Sequence, residues 1–90
     1  MTHHVKHVKF ESEAVGQLLE LARTDRQTAR RIFLAIRTFA ATGHGDIKKL
    51  EGMAATWRLR VGDWRVFLTD PSQDLVDILS VMHRRDAYGR

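Results

Sequence analysis

Apolar residues along this chain change period twice, and each change marks an element. Val8 and Phe10 sit two apart inside the stretch 5–10, the spacing of a short strand. Ser12 then reads as an N-cap. Behind it Val15, Leu18, Leu19 and Ala22 fall at i, i+3, i+4 and i+7, one face of a helix. Thr24 and Gln27 have capping-box spacing and predict the start of a second helix. Its apolar stripe is Ala29, Ile32, Phe33, Ile36, Phe39 and Ala40, and Thr42-Gly43 ends it. Two helices joined this tightly make an antiparallel αα-hairpin. The glycines of 43–52 predict a loop.

Period two then takes over. Trp57, Leu59 and Val61 alternate with Arg58 and Arg60; Trp64, Val66 and Leu68 alternate with Arg65 and Phe67. Gly62-Asp63 between them predicts a two-residue hairpin turn of type II′. A second turn over 70–74 surrounds the single proline, and 75–82 is a mostly apolar strand. The order β-α-α-β-β-β describes one α+β domain over 1–90, with a two-helix hairpin packed on one face of an antiparallel sheet.

The hairpin register has a chemical consequence. If Val61 pairs with Trp64, Arg60 lies opposite Arg65, and like charges so placed destabilise a sheet. Trp57 and Trp64 share the other face and read as core. The arginine face is left to solvent or to a ligand, and a phosphate bound between the guanidiniums relieves their repulsion. The hairpin is therefore a candidate anion site.

Charge agrees with this. The chain of 90 residues carries 15 Lys and Arg against 11 Asp and Glu, a formal net charge of +4, which favours an anionic partner such as nucleic acid or an acidic protein. Basic residues gather in 57–65 and in the tail 83–90. Zero cysteines exclude disulfides and thiolate metal sites and fit a reducing, cytoplasmic setting. No apolar run approaches the length of a membrane span, and the first residues lack the apolar core of a signal peptide. His3, His4 and His7 fall in a stretch read as a strand, where His3 and His7 share a face and His4 points away, and not as the helical pair of a zinc protease; no carboxylate partner stands out, and no metal or other cofactor is expected.

The segment KKLEG, then WRLRVGDWRVFL, then ILSVMHRRDAY, in this order and spacing, resembles the RelE/ParE superfamily of toxins from bacterial toxin–antitoxin pairs, and its RelE-like branch in particular. The resemblance implies a toxin that enters the ribosomal A site and cuts messenger RNA there without a metal. The 2′-hydroxyl attacks the adjacent phosphate and leaves a 2′,3′-cyclic end. It also implies a cognate antitoxin that wraps the toxin, in a higher-order hetero-oligomer. The implied catalytic residues are Arg58, Arg60 and Arg65 of the hairpin, with Arg84 and Tyr88 of the tail. Lys48, Lys49 and Arg85 are candidates for contact with ribosomal or messenger RNA.

That reaction needs a base for the 2′-OH proton, an acid for the departing 5′-oxygen, and positive charge for the dianionic phosphorane. The arginines suit the third role. RelE-type toxins carry lysines on the first hairpin strand, and arginine is a poor base. The proton roles are therefore expected of Tyr88, as base or as a ring stacked on the scissile base, and of His83, as acid. Glu51, before Gly52 in the predicted loop, is not chosen. Two alternatives belong to other classes: a ParE-like inhibitor of DNA gyrase, and a non-catalytic basic RNA-binding module. The arginines and tyrosine after the last strand favour the ribonuclease.

Overall fold

The computed structural model describes residues 6–52 and 55–87. The chain runs β1 (His7–Phe10), α1 (Ser12–Thr24), α2 (Arg26–Thr42), β2 (Asp46–Lys49), β3 (Trp57–Val61), β4 (Trp64–Leu68), β5 (Leu75–His83) and α3 (Arg84–Ala87). The strands form one sheet in the order β1-β5-β4-β3-β2. β1 runs parallel to β5, and the other neighbours are antiparallel. The α+β class and the helical hairpin on one face are as expected from the pattern.

Two elements extend the expected order. The stretch expected as a loop contains β2, whose Ile47 packs against the core. Four residues carry too little alternation to outweigh the glycines on either side. The tail turns into the short helix α3. The sheet is mixed and not wholly antiparallel as expected, because β1 precedes the helical hairpin, which carries the chain back over the sheet before β2 begins, and β1 then pairs in parallel with β5.

Helix boundaries show which caps win. The expected cap at Ser12 moves to Glu11, which makes no side-chain capping bond. The expected Thr24–Gln27 box is replaced by Asp25, whose carboxylate accepts from the Thr28 N–H at 3.1 Å and from the Thr28 hydroxyl at 2.6 Å. An aspartate bonds orphan helix N–H groups with a full charge, so it outcompetes threonine. The same bonds, the Thr28 hydroxyl first, hold the Asp25 carboxyl below its ordinary range. Gly43 closes α2 in the left-handed region at φ 80°, as its sequence position implied.

Ile32, Ile36 and Phe39 of α2 and Ala14 of α1 pack onto Leu59, Val61, Val66, Leu68, Val76, Ile78 and Val81 of the sheet. Trp57 and Trp64 lie partly buried against this core, on the face assigned to them. α1 is rolled by about one position from its expected orientation. Ala14 is buried and Leu18 and Leu21 line the core, while Val15 and Leu19 are exposed. Together with Phe10, Leu18 and the 40%-exposed Phe33 they line an apolar groove of about 300 Å³. Phe10 and Phe33 stack there with ring centroids 6.1 Å apart.

One irregularity controls which side chains reach which face. Phe67 pairs with Ser80 but Leu68 pairs with Ile78, so Leu79 has no partner on β4. This bulge explains why Val76, Ile78 and Val81 are all buried although their spacing breaks period two.

Candidate functional site

Residues opposite each other in a sheet share a face, and alternate residues along a strand do too. Arg58 and Arg60 are therefore on one face of β3. Their partners are Phe67 and Arg65 on β4 and Lys48 and Asp46 on β2. The helices cover the opposite face. The Arg60–Arg65 pair is present as the hairpin register requires, and Gly62 at φ 60° is the one turn residue in the left-handed region. That matches a type II′ turn.

The three arginines are held differently. Arg65 is only 8% exposed, and its Nη1 donates to the carbonyls of Gly62 at 2.9 Å and Trp64 at 3.1 Å. Arg58 donates from Nη2 to Asp46 Oδ1 at 3.0 Å, with its side chain 13% exposed. Arg60 is exposed and makes no hydrogen bond or ion pair with the described residues. The Nε atoms of Arg58 and Arg65 are buried without a hydrogen-bond partner among the described residues. A buried, unpaired N–H on a charged group is costly and calls for an explanation.

His83 does not join this face. It pairs with Trp64 across β4 and β5, and the rings meet edge-on at 5.3 Å and 87° on the helix side of the sheet. The bulge at Leu79 is the cause. Uninterrupted alternation would put Ile78 and Met82 toward the core and His83 with the arginines; the extra residue reverses this after Leu79. His83 Nδ1 also accepts the Arg85 N–H at 3.2 Å, so it helps start α3.

Arg84 and Arg85 begin α3. The Arg84 N–H donates to the Asp63 carbonyl at 2.7 Å, and its Nε approaches Asp63 Oδ1 at 3.8 Å. The backbone bond fastens α3 to the hairpin turn, while the exposed ion pair adds little. Tyr88, His3 and His4 lie outside the described residues. His7 is exposed on β1. Glu51 is exposed in the turn after β2, beside Gly52.

Lys48 and Lys49 part company because they lie on a strand rather than in a loop. Lys48 pairs with Arg58 on the arginine face, whereas Lys49 pairs with Trp57 on the other. β2 also delivers a residue the sequence reading passed over. Asp46 lies directly opposite Arg60 and bonds Arg58. The signal was the alternation of Asp46, Ile47 and Lys48, which places both polar residues on one side. Over β2, β3 and β4 the face thus combines three guanidiniums, one carboxylate and one amine. It can bind an anion, and it carries groups able to accept and donate protons. Among the described residues no three His, Asp or Glu side chains gather as a metal site, and no helix is long and apolar enough to cross a membrane.

A family model described as the ParE toxin of the type II toxin–antitoxin system parDE matches residues 8–88. Solved structures share the fold. The RelE–RelB complex from the archaeon Pyrococcus horikoshii is 24% identical with a TM-score of 0.70, covering 92% of this chain and 99% of that one. The RelBE2 toxin–antitoxin complex from Mycobacterium tuberculosis is 27% identical with a TM-score of 0.64, covering 90% and 93%. A chromosomal ParDE system from P. aeruginosa is 9% identical with a TM-score of 0.67, covering 89% and 97%. A search of curated proteins returned no match.

Proposed function

Since the chain belongs to the ParE toxin family of type II toxin–antitoxin systems, we propose that it acts as a ribosome-dependent endoribonuclease that cuts messenger RNA through 2′-OH attack, without a metal. The observation that carries this reading is the gathering of Arg58, Arg60 and Arg65 on one sheet face, with the Arg60 guanidinium exposed and unpaired among the described residues. Such a cluster fits a phosphate that gains negative charge during reaction.

In this reading Arg58, Arg60 and Arg65 bind the scissile phosphate. The Asp46 carboxylate takes the 2′-OH proton, because it is the carboxylate that Arg58 holds on this face. The 2′-oxygen bonds to phosphorus, the P–O5′ bond breaks, and the departing oxygen takes a proton from the Lys48 ammonium. The products are a 2′,3′-cyclic phosphate and a 5′-hydroxyl. This replaces His83 as acid, since the bulge in β5 points it at Trp64.

The solved complexes from Pyrococcus horikoshii and Mycobacterium tuberculosis pair each toxin with an antitoxin, and a cognate antitoxin is proposed here too. The groove of Phe10, Val15, Leu18, Leu19 and Phe33 supports a protein partner, because exposed apolar surface of this kind marks contact sites.

The test is controlled expression in bacteria with messenger RNA ends mapped by primer extension. Cuts within codons of translated messages, lost in Arg58→Gln and Arg60→Gln, are expected. Intact messages with a DNA-damage response would instead identify a gyrase inhibitor, and the reading would fall.

A further inference from the structure

A second basic site lies around the end of the sheet, between α2 and the β3–β4 turn. A groove of about 470 Å³ is lined there by Arg31 and Thr38 of α2, His44 and Gly45 of the connection to β2, Arg60 of β3, and Gly62. Every ionisable residue lining it is Arg or His. The nearby carboxylates are engaged elsewhere, Asp46 with Arg58 and Asp63 with Arg84. Neither Arg31 nor Arg60 has a hydrogen bond or ion pair among the described residues.

Arg31 is nonetheless placed, not loose. Its guanidinium lies over the turn, so that a Cβ added at Gly62 would meet Nη1 at 3.0 Å and Nη2 at 3.3 Å. The floor is apolar, made by Leu59, Ala35 and Val61. At Gly45 an added Cβ would strike Leu59 Cδ1 at 2.7 Å, so the chain passes close against that floor. Cations above a low-dielectric floor focus positive potential into the groove. Arg60 borders this groove, while its pairing with Arg65 directs its side chain to the arginine face on the other side of β3. The two sites therefore meet at Arg60.

We infer that this groove is a second phosphate subsite, in which Arg31, with His44, binds a phosphodiester of RNA adjoining the one on the arginine face. The inference rests on the ribonuclease reading and extends it from a single phosphate to a track. Arg31 binds and positions; it takes no part in the chemistry.

The test measures the salt dependence of binding for the wild type, Arg31→Gln and Arg31→Lys. The ligands are a single-stranded RNA of about 12 nucleotides with uncleavable 2′-O-methyl riboses, and ribosomes programmed with a message. Losing one phosphate contact should lower the slope of log affinity against log salt by about 0.7 on a single strand. Arg31→Lys should restore most of that slope, since it keeps the charge. A lowered slope with the free oligonucleotide means that the messenger strand occupies the subsite. A lowered slope with ribosomes alone means that ribosomal RNA supplies the phosphate. Thermal unfolding of each variant checks that the turn stays folded. If Arg31→Gln matches the wild type on both ligands, the subsite is refuted and the ribonuclease reading stands on its cleavage. If the wild type neither binds RNA nor cuts messages, both fall together.

Discussion

Arg60 and Arg65 lie directly opposite each other across the β3–β4 hairpin, yet only Arg65 is anchored. Its Nη1 bonds the Gly62 and Trp64 carbonyls, while Arg60 is exposed and unpaired among the described residues. The pair is a fixed charge facing a free one.

Removing the free charge should therefore strengthen the fold and weaken the function. Arg60→Gln relieves like-charge repulsion worth up to about 1 kcal/mol across a strand pair. Urea unfolding at low salt should show the variant as stable as the wild type or more so, with the gain shrinking as salt screens the wild-type repulsion. Growth arrest on expression should weaken. A clear loss of stability at low salt would show that Arg60 has a structural role.

Asp46→Asn tests the proposed base. The amide keeps the shape and can still accept from Arg58, but cannot take a proton. Cleavage should fall by about 10²–10⁴-fold, the usual contribution of a general base, while RNA affinity holds or rises. Asp46 is 55% exposed, so its ion pair should account for less than about 1 kcal/mol of stability. Wild-type cleavage by Asp46→Asn would remove it from the mechanism.

His83 offers the opposite pattern. Its ring meets Trp64 at 5.3 Å on the helix side, and an aromatic edge contact contributes about 0.5–1.5 kcal/mol. His83→Ala should lose stability in that range. His83→Phe should keep the ring contact and most of the cleavage. A folded His83→Phe protein with cleavage abolished would return His83 to the chemistry.

Acid stability should depend on Asp25. Bonds from Thr28 lower its carboxyl from the ordinary 3.8. A carboxyl lowered on folding stabilises the protein above its unfolded value, and the benefit disappears as pH falls through the lowered folded value. Asp25→Ala should melt lower than the wild type at neutral pH, and the two melting curves should converge below about pH 3.8. A constant difference at all pH values would mean that the cap works without its charge. Asp70, lowered by the Ser72 N–H first, has the same sign.

How legible the molecule was in its sequence varied by element. The hairpin was read residue for residue, because period two and a Gly-Asp turn allow one register, and a slip of one would expose both tryptophans. The helical hairpin was read with α1 rolled, because Val15 and Leu19 are as apolar as the residues that do reach the core. β2 was missed, since its pairing with β3 stabilises a segment too short to show its own period. Asp46 was missed with it.

The amino-acid sequence by itself determined the family, the α+β class and the opposition of Arg60 to Arg65, all of which follow from local period and ordered motifs. Tertiary structure decided who shares the site. A single unpaired residue, Leu79, reverses the facing of β5 and sends His83 to Trp64. The pairing of β2 brings Asp46 and Lys48 to the arginines. Both depend on register between strands distant in the chain, which is set by how the whole sheet buries its apolar side and not by any local pattern.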